Sequence, residues 1–221
     1  MATPKRSTRT YRSPLRAEKA AETRRLIITA AGEVFSERGY AGATMAQIAE
    51  RAGVSVESVH GLGTKPALLI LAFKQTYAGA SGWKTILDEP DLLRIMSTED
   101  NDEAIQGYAE FITAANGRSH GIWPAVRTAA LSEPRVAEQI DELIALKKQD
   151  FIMGAGWYAE RGIIDAAADP AVVAPYLYLL TSQETYDQLI QDWGYAPETY
   201  TTWLAEAIRA MGSSTVKLPP P

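Results

Sequence analysis

An all-α fold is predicted by three features of the 221-residue sequence. Apolar residues recur in steps of three and four along nearly every segment. Helix caps and glycine stops punctuate those segments. The one stretch that alternates like a strand finds no second strand to pair with, and a two-stranded unit alone is marginal. Composition is that of an ordinary globular chain, with 46% hydrophobic and 22% charged residues. The absence of cysteine excludes disulfides and thiolate metal sites and fits a reducing, cytoplasmic setting. The longest apolar run, Ala67 to Phe73, is far shorter than the ~18 residues of a membrane span. No apolar stretch follows the basic N-terminus, so a signal peptide is not expected.

The elements follow in chain order. Residues 1–15 carry Lys5, Arg6, Arg9 and Arg12 among Ser, Thr and Pro, which predicts a disordered basic arm. From Arg16 the pattern becomes helical, with Ile27, Ala30, Ala31, Val34 and Phe35 on one face and Gly39 as its stop. Thr44 and Gln47 form a capping box for a helix of about two turns, which Gly53 ends. Ser55 caps a third short helix, with Glu57 at its positive end and Gly61 and Gly63 closing it. Thr64 caps a fourth, with Pro66 in its first turn.

Residues 66–212 read as one larger helical domain. "KPALLILAFKQTYAG" is apolar on nearly all sides, so it is expected to be buried. One stripe runs through Ile105, Tyr108, Ala109, Ile112 and Ala115, and another through Val136, Ile140, Leu143, Ile144 and Phe151. Asp169 and Pro170 open a long helix expected to continue to Trp193, and the stripe from Tyr200 to Met211 is the most regular of all. Pro124 and Pro175 are expected to kink or break their helices. Residues 213–221 read as a flexible tail.

The stretch "GVSVESVH", residues 53–60, nearly alternates, yet its caps and neighbours favour a helix. Val59 is then the inward anchor, while Val56, Glu57, Ser58 and His60 point outward or sideways. Two short helices joined by a glycine-containing turn make a helix-turn-helix, whose second helix enters the DNA major groove. Charge agrees in part. Residues 1–65 hold 11 Lys/Arg against 6 Asp/Glu, whereas residues 66–221 hold 11 against 21. Such asymmetry describes either a basic segment that meets a polyanion or a solvated basic tail on an acidic body.

Residues 24–69, "RRLIITAAGEVFSERGYAGATMAQIAERAGVSVESVHGLGTKPALL", resemble the DNA-binding domain of the TetR family of bacterial transcriptional regulators. The resemblance rests on "AA..VF.ERGY", "T...IA..AGVS" and "TK..LL" in that order. It implies a DNA-binding domain over 16–65 with Val56, Glu57, Ser58 and His60 toward the bases. Thr44 and Ser55 would cap helices and touch phosphate, and Lys65 would grip the backbone. Arg9 and Arg12 would reach the adjacent groove or phosphates. Glu57 either accepts from a cytosine amine or serves only the helix start. His60 either donates to a guanine or phosphate or packs at the helix end. The sequence also departs from the family. His60 stands where an aromatic is usual, and "HGLGTK" is one residue shorter and lacks both rings. Leu62 is expected in the inward aromatic's place, with Gly61 shortening the helix.

The resemblance further implies a homodimer on a palindromic operator, paired through helices at about 170–193 and 197–211, with Gln183, Gln188 and Arg209 off their main stripes. It also implies a small-molecule effector, apolar or aromatic, within the larger domain. Candidate lining residues are Phe73, Tyr77, Trp83, Tyr108, Phe111, Trp123, Trp157 and Tyr158, with Met96 and Met153. Arg127, His120 and Asn116 are candidate polar handles. No cofactor or metal is implied. The rivals are a helical enzyme and a partner-binding scaffold with a basic terminus. With no cysteine and only His60 and His120, the sequence offers little for a nucleophile–base pair or a histidine metal site.

Overall fold

The computed structural model describes residues 14–78 and 89–213. Among them the order is α1 (Pro14–Gly42), α2 (Met45–Ala52), α3 (Val56–Leu62), α4 (Lys65–Ala78), α5 (Pro90–Ser97) and α6 (Asn101–Ser119). There follow α7 (Trp123–Ala130), α8 (Pro134–Glu160), α9 (Pro170–Thr181), α10 (Gln183–Asp187), a π-helical turn (Gln188–Asp192) and α11 (Pro197–Ser213). No strand occurs among the described residues, so the architecture is all-α.

Two apolar cores organise these helices. The first joins α1 to α4 with α7 and the leading half of α8, around Val34, Phe35, Ile48, Val59, Leu68, Val126 and Val136. The second joins α5, α6, α9, α10 and α11 with the trailing half of α8, around Ile105, Tyr158, Leu177, Tyr200 and Leu204. The helix-turn-helix segment therefore shares its core with α4 and α7, and one helix, α8, takes part in both cores.

Several expectations change in detail. Gly39 does interrupt α1, with φ 66° and ψ 176°, but one more turn forms and carries the chain to Gly42. Gly61 does not shorten α3, which runs through it to Leu62 and leaves the helix at Gly63. The long helix expected from Pro170 to Trp193 is divided. At Ser182 the backbone turns extended (φ −64°, ψ 152°), and its hydroxyl accepts from the Thr185 N–H to start α10. A π turn then delivers Trp193, which is 74% exposed. Pro124 opens α7 rather than kinking it, because in the first turn its missing N–H costs nothing. Pro175 stays inside α9.

A buried polar seam joins α6 to α9 and α10. The Asn116 amide donates to the Thr181 carbonyl (3.0 Å), and the Ser119 hydroxyl donates to Gln183 Oε1 (2.6 Å). Gln183, expected as a polar group off the stripe, is thus only 6% exposed and bonded at both ends, since its amide donates to the Asn116 carbonyl and to Asp187. Paired in this way, its burial carries no unmet hydrogen bond.

Candidate nucleic-acid interface

The helix-turn-helix is built from local signals that all agree. At the head of α2 the Gln47 N–H donates to the Thr44 hydroxyl (3.2 Å), and the Thr44 N–H donates to Gln47 Oε1 (2.9 Å). Gly53 ends α2 in the left-handed conformation, φ 67°, which suits a residue without a Cβ. Two residues later Ser55 caps α3 by accepting from the Ser58 N–H (3.2 Å). The turn between the helices is thereby fixed at both ends.

Arg51 pins α2 to α1. Its guanidinium donates twice to the Glu37 carboxylate (both 2.8 Å) and once to Glu33 (3.1 Å). Those carboxylates hold the guanidinium protonated and occupied, so this arginine, although on the basic segment, is a structural clamp. Sequence reading passed over it. The pairing joins α1 to α2 across a turn, and no short motif announces that.

Burial of α3 divides its two sides. Val59 is fully buried, and Val54 and Leu62 pack against the same core. Leu62 thus takes the inward place expected of it. Val56, Glu57, Ser58 and His60 are exposed, and they form one outward edge of methyls, a carboxylate, a hydroxyl and an imidazole. In the free protein Glu57 belongs to the helix start. Its own backbone N–H and the Ser55 hydroxyl hold its pKa below the ordinary carboxylate value, with a smaller pull from His60. Ser58 is likewise engaged, its hydroxyl 3.1 Å from that of Ser55.

Lys65 begins α4 immediately after this edge. Its ammonium stands 4.4 Å from the centroid of the Tyr40 ring. The Tyr40 hydroxyl donates to Glu133 Oε1 (2.8 Å), at the head of α8. The sequence marks Tyr40 only as the end of "ERGY" and does not mark Glu133, because the two are 93 positions apart. Arg9 and Arg12 lie outside the described residues.

The residues expected to line an effector pocket separate into three groups. Tyr108 and Trp157 line a cavity of about 40 Å³ together with Met96, Met153 and Tyr158. That volume admits a water molecule or two, not a drug-sized ligand. Phe73, Tyr77 and Trp123 instead pack in the first core, with Trp123 5.2 Å and Tyr77 6.0 Å from the Phe73 ring. Phe111 borders a surface hollow beside Arg94 and Glu110. Trp83 lies outside the described residues. The expected polar handles have other partners. Arg127 pairs with Glu184 (3.0 Å), His120 Nδ1 lies 2.6 Å from Asp187, and Asn116 belongs to the buried seam. Beside the cavity, Arg161 covers Trp157 at 4.8 Å and donates to the carbonyls of Thr98 and Glu99 (both 2.5 Å) and to Asn101 Oδ1 (2.8 Å).

Residues 27–61 match the sequence profile of bacterial regulatory proteins of the tetR family. Over that span the chain is similar to the tetR family. The matched span runs from the buried face of α1 to Gly61, so it contains α2, the turn and all of α3 but its last residue. Solved structures extend the likeness to the rest of the fold. A putative TetR-family transcriptional regulator from Rhodococcus sp. superposes with a TM-score of 0.67 at 16% identity, over 87% of this chain and 99% of that one. A putative transcriptional regulator from Pseudomonas aeruginosa PAO1 gives 0.62 at 17% identity, over 93% and 95%. NalD, described as the secondary repressor of the MexAB-OprM multidrug efflux pump in Pseudomonas aeruginosa, gives 0.59 at 20% identity, over 86% and 97%. None of the curated proteins matches the chain. The segment similar to the tetR family is thus part of a helical chain of the same overall architecture as theirs. No helix among the described residues is long and apolar enough to cross a membrane.

Proposed function

We propose that the protein is a ligand-responsive transcriptional repressor that binds a palindromic DNA operator as a homodimer. One observation carries the reading. Within a segment similar to the tetR family, the exposed edge of α3 presents Val56, Glu57, Ser58 and His60 while Val59 anchors the helix from within. Such an edge matches base edges in a major groove: methyls suit thymine, and the hydroxyl and imidazole donate or accept. Thr44, Ser55 and Lys65 stand at three helix starts beside it, where phosphates are favoured by the backbone N–H groups. Arg9 and Arg12 would add phosphate or minor-groove contacts.

A homodimer would place two such edges on two half-sites. In support, Leu179 on α9 and Trp193 after the π turn are 60% and 74% exposed, and α9 and the π turn both touch α11, the other helix of the expected pair. Repression rather than activation is favoured by the shared fold with NalD, which is described as a repressor. The effector would be a small apolar or aromatic molecule entering between α5, α6 and α8, where Met96, Tyr108 and Trp157 already leave a cavity. Its walls would have to part to admit it. A ligand that prefers the parted form would lower DNA affinity by its differential binding.

The test is the salt dependence of binding. Affinity for a duplex should fall steeply as salt rises. Lys65→Ala should weaken binding to every sequence and reduce the slope by about one unit. Undiminished binding by Lys65→Ala would remove the phosphate contact from the account.

A further inference from the structure

Lys65 has a ring partner of its own in the protein without DNA. Its ammonium rests over the Tyr40 ring, 4.4 Å from the centroid. The ring is itself held. It is 9% exposed, and Phe35 stacks on it at 6.1 Å with 19° between the planes. Its hydroxyl donates to Glu133, a residue 93 positions away in sequence. Glu133 occupies the cap position of α8 yet makes no capping bond there. Its carboxylate is used across the interface with α1 instead.

The chemistry of this chain of contacts is directional. A phenol that donates to a carboxylate moves electron density toward its ring, and a richer ring face is a better seat for an ammonium. Lysine has four rotatable bonds to lose when it settles on a phosphate. A lysine already seated has lost part of that freedom, so the contact is pre-organised.

We propose that Tyr40 and Glu133 are positioning residues for the DNA contact: Tyr40 seats the Lys65 ammonium for a phosphate, and Glu133 fixes Tyr40 to α8. The proposal rests on the reading of Lys65 as a phosphate contact. It gives α8 a specific role. The same helix that carries Glu133 at its head contributes Met153 and Trp157 to the cavity near its other end.

Two double-mutant cycles test this, using the full chain and a fluorescent duplex of fixed arbitrary sequence at low salt, read by anisotropy. Tyr40→Phe keeps the ring and alters no charge. It should weaken binding roughly three- to tenfold in the parent and leave it unchanged in the Lys65→Ala background. Glu133→Gln is the second arm. Its general charge effect on DNA persists without Lys65 and cancels in the cycle, leaving the coupling through Tyr40. Thermal unfolding midpoints of each variant separate lost positioning from lost fold, and the second cycle stands if Tyr40→Phe unfolds. Non-zero coupling with Lys65 supports the proposal. Additive effects in both cycles overturn it while leaving Lys65 as a phosphate contact. Full binding by Lys65→Ala overturns the phosphate contact and the positioning role together.

Discussion

Ser55 does two jobs with one oxygen. It accepts the Ser58 N–H to start α3, and it lies against the Glu57 carboxylate at the same helix end. Ser55→Ala is expected to cost about 1 kcal/mol in urea unfolding, the usual loss for a capping hydroxyl. It should also release Glu57 and raise its pKa toward the ordinary value. A cap is legible in sequence because its partners lie within three residues, and the caps expected at Thr44 and Ser55 both formed. The Tyr40–Glu133 and Arg51–Glu37 contacts were not legible for the converse reason. Each is set by packing between segments, and nothing local marks it. The same limit explains Phe73 and Trp123. A ring at helical spacing reads alike whether it meets a cavity or another ring, and these two meet each other.

At the scale of elements, two helix ends stand out. Arg161, just beyond α8, grips the carbonyls of Thr98 and Glu99 before α6 and lies over Trp157. Arg161→Ala should cost about 2 kcal/mol, since several hydrogen bonds to a charged group are lost at once. Arg161→Lys should recover little, because an ammonium cannot reproduce the planar fork. Urea unfolding of the two variants checks both statements. The break between α9 and α10 shows how periodicity misleads. Apolar spacing from Val172 to Ile190 continues across Ser182, so a single helix was expected. The capping signal lay in "SQET", where Ser182 is followed three residues later by Thr185. Backbone capping prevailed over side-chain periodicity there, and the π turn that follows reorients Trp193.

For the whole molecule, the all-α class and the order of the first four helices were legible because propensity, caps and apolar spacing all agreed. The division into two cores that meet along α8 was not, since it depends on which stripes face each other. Burial also sets an alkaline limit. Tyr108, Tyr158 and Tyr200 have pKa values raised above 10.0 chiefly by burial, and Tyr40 by burial and by Glu133. A raised value means the folded state keeps the phenol proton longer than the unfolded chain does. That stabilisation is complete below the ordinary tyrosine value and is lost as pH rises beyond it. The urea midpoint should therefore hold near neutrality and fall above about pH 10, together with the rise in tyrosinate absorbance. For the proposed pairing of two chains, Trp193→Glu should shift sedimentation from dimer to monomer. The central claim is that the α3 edge reads a duplex sequence. Its most direct test is selection from a random-sequence duplex pool by the full-length protein. The account predicts an enriched site with two inverted half-sites, whose preferred bases change when Val56 or Ser58 is replaced. A pool that shows no enrichment, or a consensus indifferent to those replacements, would contradict it.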